Sequence, residues 1–115
     1  MDSHFTARRF KAHAEVKAHG IASLKKLDKY YDGIVRGDVI LSYERSTNSV
    51  KMAEINLHVH GILLSAKEKS NDYRKSIDLA IEKLERQLSK YKTKSRMKDK
   101  RILRRAKEKI SIPDS

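Results

Sequence analysis

Glu54-Ile55-Asn56-Leu57-His58-Val59-His60-Gly61-Ile62-Leu63-Leu64-Ser65-Ala66-Lys67 is the stretch from which the rest of the chain can be placed. Ile55, Leu57 and Val59 alternate with Glu54, Asn56, His58 and His60, so an extended chain here has one apolar side and one polar side. Gly61 marks a tight turn, and Ile62 to Lys67 reads as the strand that returns beside it. The fold class follows from what lies on either side of this hairpin.

Downstream, the period changes from two to that of a helix. Ser70-Asn71-Asp72 supplies an N-cap. Tyr73, Ile77, Ala80, Ile81, Leu84, Leu88 and Tyr91 then form one stripe about five turns long. Upstream, Val39, Leu41 and Tyr43 alternate with Asp38, Ile40, Ser42 and Glu44, and Ser46-Thr47-Asn48-Ser49 is turn chemistry. Before that, Val16, Gly20, Ser23, Leu24, Leu27 and Tyr31 fall at helical spacing from about His13. Asp32-Gly33 is the expected stop, since glycine accepts the left-handed conformation that ends many helices. Gly20 inside this helix costs about 1 kcal/mol against alanine, and its expected use is close approach by another element. Ser3 to Ala7 forms a short first strand, followed by Arg8-Arg9 in a loop.

The order is therefore strand, helix, three strands, helix: an α+β domain of β-α-β-β-β-α type. The first two strands are joined through a helix and should be parallel, with a right-handed crossover. The last three strands form an antiparallel meander. Each helix has one apolar stripe and the sheet has one apolar face, so the expected packing is both helices on one face of a four-stranded mixed sheet.

Composition limits what such a domain can do. The chain has 115 residues, enough for one domain, and its net charge is +12. With 38% hydrophobic and 37% charged residues the core must be small and the surface densely charged. Excess positive charge repels itself until an anion neutralises it, so the expected partner is acidic. There is no cysteine, hence no disulfide, thiolate metal site or thiol nucleophile. Val39-Ile40-Leu41 and Ile62-Leu63-Leu64 are the longest aliphatic runs, too short for a transmembrane helix or a signal-peptide core. A soluble, cytoplasmic protein is expected.

The charge is unevenly placed. Residues 1–89 carry 16 basic and 12 acidic side chains, whereas residues 90–115 carry 11 and 3. On the last helix Lys83, Arg86, Lys90 and Lys94 form a single stripe beside the apolar one, with Lys92 nearby. Asp78, Glu82 and Glu85 lie on another flank. The first helix carries Lys17, Lys25, Lys26 and Lys29. If the helices lie side by side, these lysines continue the basic surface, which suits a polyphosphate better than a small anion. Arg86 can grip phosphate in a bidentate manner, and the lysines act as point charges.

These residues also carry a family resemblance. Tyr30-Tyr31-Asp32, Leu57-His58-Val59, Ser65-Ala66, Ile77-Asp78 and the run Glu82-Lys83-Leu84-Glu85-Arg86-Gln87-Leu88-Ser89-Lys90-Tyr91-Lys92 resemble the ribosome hibernation promoting factors. That family includes ribosome-associated inhibitor A, also called protein Y. The resemblance extends from about residue 4 to residue 94, and the stretch from Lys83 to Lys94 is its most specific part. It implies a fold related to double-stranded RNA-binding domains. It also implies binding in the channel between head and body of the small ribosomal subunit, in competition with messenger RNA and with A- and P-site transfer RNA, so that idle ribosomes stop translating.

Carried over by residue, the expected rRNA contacts are Lys26, Arg86, Lys90, Lys92 and Lys94; the charge pattern adds Lys25, Lys29 and Lys83. The sequence departs from the family pattern in three places. Arg74-Lys75-Ser76 stand where an aromatic and two small residues are common. The turn at Gly61 is one residue shorter, and Ser23 replaces a common lysine. The long family form has a C-terminal dimerisation domain, which a chain of 115 residues is not expected to hold. Residues 1–94 are read as the ribosome-binding domain and 95–115 as a flexible basic tail. Within that tail Ile102, Leu103, Ala106 and Ile110 can make one short amphipathic helix.

Other functions find less support in the residues. His58 and His60 share a strand face, but spacing offers no third metal ligand, and the polar side of a half-buried strand accounts for both. No catalytic set, cofactor, small-molecule substrate or membrane contact is expected, and the free protein is expected to be a monomer. A generic double-stranded RNA-binding domain is the alternative. Lys67, Lys69, Arg74 and Lys75, near the start of the final helix, partly meet its needs.

Overall fold

The computed structural model describes residues 1–44 and 50–105, except for the side chains of 92–105. Its elements are β1 (Asp2–Ala7), α1 (Ala14–Tyr30), β2 (Ile34–Tyr43), β3 (Lys51–Val59), β4 (Ile62–Ser70) and α2 (Tyr73–Arg105). The sheet order is β1-β2-β3-β4. β1 pairs with β2 in parallel, and β2, β3 and β4 form the antiparallel meander. α1 packs over β1 and β2, α2 over β3 and β4, and the helices touch one another. The expected β-α-β-β-β-α architecture is thus the observed one.

Alternation places the core. Val39 and Leu41 of β2, Ala53, Ile55, Leu57 and Val59 of β3, and Ala66 of β4 are buried against the helices. α1 contributes Leu24 and Leu27, and α2 contributes Ile77, Ala80, Ile81, Leu84 and Leu88. Gly20 does what its position suggested: a Cβ there would lie 3.2 Å from the Phe5 ring, so its absence lets β1 approach α1. Gly61 has φ of +80°, which a side-chain-bearing residue rarely adopts, and it closes the two-residue turn that pairs Val59 with Ile62.

Four local expectations change. β2 begins at Ile34, earlier than the alternation indicated. A bulge between Ile34 and Arg36 leaves Val35 exposed while Ile34 stays buried, and this extra residue breaks the period of two. The end of α1 does not use a left-handed glycine. Tyr31 is extended (φ −143°, ψ 121°) and its N–H bonds the Leu27 carbonyl. Gly33 is needed for a different reason: a Cβ there would lie 2.6 Å from the Tyr31 ring. β3 ends at Val59, so His60 belongs to the turn and does not share a strand face with His58. Finally, α2 runs past residue 94 to Arg105, taking the backbone of Ile102 and Leu103 with it. Ala106, Ile110 and the rest of the expected tail from residue 106, like the turn at Ser46 to Ser49, lie outside the described residues.

The N-terminus of α2 is tied down. Asp72 Oδ1 accepts from the Arg74 N–H at 3.0 Å, and Ser70 Oγ accepts from the Asp72 N–H at 3.1 Å. Ser76 is fully buried and donates to the Lys51 carbonyl at 2.9 Å. Nearby, Phe10 stacks on Tyr73 with ring centroids 5.0 Å apart, and Tyr73 donates its hydroxyl to the Ser42 carbonyl. At the far end of the helices Tyr31 meets Tyr91 edge to face at 5.7 Å. Burial pushes the Tyr31 phenol above its ordinary value, and Tyr91 beside it adds to the rise. Burial, then Tyr43, does the same to Tyr73.

Candidate nucleic-acid interface

The predicted site residues whose side chains are described fall on the outer surface of the two helices. Lys25, Lys26 and Lys29 are exposed on α1, and Lys83, Arg86 and Lys90 are exposed on α2. Lys92 and Lys94 lie on the helical backbone of α2, with side chains outside the described set. Two contacts orient α2. Lys83 pairs with Glu68 of β4, and Gln87 Nε2 donates to the Ser65 carbonyl of the same strand at 3.0 Å. The flank bearing Lys83 therefore looks toward β4, away from α1, and by helical spacing Arg86 and Lys90 lie beside it.

The opposite flank of α2 faces α1 and is acidic. Asp78, Glu82 and Glu85, at i, i+4 and i+7, line a groove of about 450 Å³ between the helices, with His19, Ser23 and Lys26 on the other wall. His19 Nε2 lies 2.7 Å from Asp78 Oδ1. The groove thus sets one lysine against three carboxylates. The expected continuous basic surface is corrected here: the helices do lie side by side, but carboxylates run between the two cationic rows.

The members of the rows are not equivalent. Among the described residues Arg86, Lys90, Lys25 and Lys29 have no ion-pair partner, whereas Lys83 has Glu68. Free cations can each displace a counterion from a polyphosphate, while a paired one has part of its charge already neutralised. Ser23 lines the groove and adds no charge to its α1 wall.

Sequence reasoning found the cations and missed their neighbours. The flank occupied by Asp78, Glu82 and Glu85 was legible, but that it faces His19 and Lys26 depends on how the helices cross. Two of the other histidines have carboxylate neighbours. His58 Nε2 is 3.5 Å from Asp38 Oδ2, and His4 Nε2 is 3.5 Å from Asp2 Oδ2. Among the described residues no three His, Asp or Glu side chains are grouped to hold a metal ion, and no helix is long and apolar enough to cross a membrane.

Comparison with known proteins gives this geometry a context. A ribosome hibernation promoting factor from Klebsiella oxytoca is 37% identical over 73 residues, which are 64% of this chain and 74% of the relative. A ribosome hibernation promotion factor from Bacillus subtilis is 32% identical over 79 residues, 69% of this chain but 42% of that longer protein. Among solved structures, a ribosomal subunit interface protein from Coxiella burnetii superposes with a TM-score of 0.72 at 26% identity, covering 81% of this chain and 99% of that one. The N-terminal domain of Protein Y from Thermus thermophilus gives 0.68 at 26% identity, covering 79% and 99%. Both superpositions support the mixed-sheet fold with two helices. Residues 4–96 match the family described as Sigma 54 modulation protein / S30EA ribosomal protein, a stretch that holds all of the sheet but its first two residues, both cationic rows and the seam between them; the chain belongs to that family.

Proposed function

We propose that this protein is a ribosome hibernation factor. It binds the small ribosomal subunit through rRNA in the channel that messenger RNA and the A- and P-site transfer RNAs use, and it thereby inhibits translation in idle ribosomes. The observation that carries this reading is the pair Arg86 and Lys90, exposed, aligned and without ion-pair partners among the described residues, on the helix that closes the family match. The names of the relatives point to a ribosomal partner.

In this reading Arg86 and Lys90 grip one stretch of phosphate backbone, and Lys25 and Lys29 grip another. Lys92 and Lys94 extend the first row, and Lys26 sits at the seam. Lys83 contributes least, because Glu68 already holds it. Residues 1–94 dock, and the basic segment from residue 95 onward follows rRNA or the messenger path. The protein acts without catalysis or a cofactor, as a free monomer in the cytoplasm that occupies a place on the ribosome.

The test is co-sedimentation with purified ribosomes and separated subunits across a salt series. One copy per small subunit is expected, with affinity falling as salt rises. Each phosphate contact removed should flatten the log–log salt slope by roughly 0.7–0.9. Arg86→Glu with Lys90→Glu should abolish binding at physiological salt. Unchanged binding by that variant, or equal affinity for any duplex RNA, would overturn the proposal.

A further inference from the structure

The sheet has a second face, away from both helices, and one corner of it is built unlike the rest. A cleft of about 450 Å³ there has Arg8, Arg9 and Lys67 among its lining, with Ser42, Met52 and Glu54 beside them. That volume lies within the usual range of small-ligand clefts. Among the described residues none of the three cations has an ion-pair partner.

The backbone at this corner is strained. Arg9 has φ of +64°, alone among the described non-glycine residues in the left-handed region. The strain is held from both sides. The Arg8 N–H bonds the Leu41 carbonyl at 2.9 Å, continuing the ladder of β1 on β2, and Phe10 is fixed in its stack on Tyr73. Glycine or asparagine would adopt this conformation at lower cost. An arginine held there against strain is the kind of outlier that accompanies ligand sites.

We propose that this corner is a nucleotide-binding site, separate from the helical surface. Arg8, Arg9 and Lys67 take the phosphate, since guanidinium forks match its geometry. The Met52 thioether gives a base a polarisable surface to lie on. Glu54 repels a second phosphate and accepts from an N–H on the edge of the base. The ligand is a phosphate-bearing nucleotide, either free or within a single RNA strand. Because the site lies across the sheet from α1 and α2, it does not depend on the hibernation reading.

The experiment is an amide NMR titration of the full chain with guanosine monophosphate, with inorganic phosphate, and with a short unstructured single-stranded RNA. Both nucleotide probes should shift the amides of Arg8, Ser42, Met52, Glu54 and Lys67, and phosphate alone should bind more weakly. Tighter binding of the RNA than of the mononucleotide assigns the site to a strand; the reverse assigns it to a free nucleotide. Arg8→Ala with Lys67→Ala should weaken binding roughly tenfold or more. Arg9→Gly relieves the strain, so it should weaken binding with no fall in melting temperature. Arg86→Glu with Lys90→Glu should leave these shifts in place. Shifts confined to the helices, none with either nucleotide, or equal affinity in the Arg8→Ala, Lys67→Ala variant would overturn the assignment.

Discussion

His19 of α1 and Asp78 of α2 meet at 2.7 Å, and this polar clasp stands at the head of an acidic groove. Glu82 and Glu85 continue the groove between the two cationic rows. Replacing both by glutamine removes two negative charges that a bound polyphosphate would face. Ribosome affinity of the Glu82→Gln, Glu85→Gln variant should rise a few-fold at low salt, with the gain shrinking over a Debye length of about 8 Å at physiological ionic strength. A loss of affinity, measured by co-sedimentation, would mean that the seam carboxylates make contacts of their own with the ribosome.

Lys83 and Lys90 are both exposed lysines on one helix, but only Lys83 has Glu68 beside it. Lys90→Gln should therefore cost more ribosome affinity than Lys83→Gln and flatten the salt slope by roughly 0.7–0.9, with little change for Lys83→Gln. Glu68→Gln releases Lys83 and should strengthen binding slightly. Equal slopes for the two lysine variants would show that the ion pair opens on the ribosome.

Gly33 lies under the Tyr31 ring, where a Cβ would approach to 2.6 Å. Gly33→Ala should push that ring from Tyr91 and, because the ring is only partly buried, destabilise the fold by about 1 kcal/mol, the low end of overpacking costs. Denaturant unfolding measures it. The double variant with Tyr31→Ala should lose little beyond what Tyr31→Ala costs by itself. An undisturbed midpoint for Gly33→Ala would show that the ring has room to swing away.

Tyr31 and Tyr73 have phenols raised above the ordinary value of 10.0, first by burial. In the folded state they keep their protons at pH values where the unfolded chain has lost them. Their contribution is fully present below the unfolded value and is lost as pH rises through the folded one. Stability should therefore decline in the alkaline range above about pH 10, and tyrosinate absorbance should reveal at least two late-titrating groups. Tyr31→Phe should reduce the alkaline decline. A decline of the same size in that variant would assign the effect elsewhere.

The fold was legible where one period held without interruption. Ile55, Leu57 and Val59 mark their strand by alternation alone, and the stripe from Tyr73 to Tyr91 marks its helix. Legibility failed where a single residue broke the pattern, as Val35 does in the bulge, and where a tertiary neighbour decided the conformation. Gly33 looked like a helix stop because glycine permits one, but the Tyr31 ring is what requires it. The candidate site divides the same way. Lysines and arginines are visible in the chain, and their separation from opposite charges is not. That Glu68 neutralises Lys83, and that Asp78 turns toward His19, depends on which strand and which helix flank α2. The Arg8–Arg9 corner read as a plain loop, since nothing in its residues announces a left-handed arginine.

β4 lies at the rim of the sheet, where an unpaired backbone invites another copy to add a strand and begin an aggregate. Gln87 takes the Ser65 carbonyl there, while Lys67 and Lys69 stand on the same strand. A second molecule approaching edge to edge would have to break that bond and bring its own lysines against these. The Gln87 amide therefore covers at this edge a carbonyl that an added strand would need, so strand addition along β4 carries a cost that a bare edge would not impose.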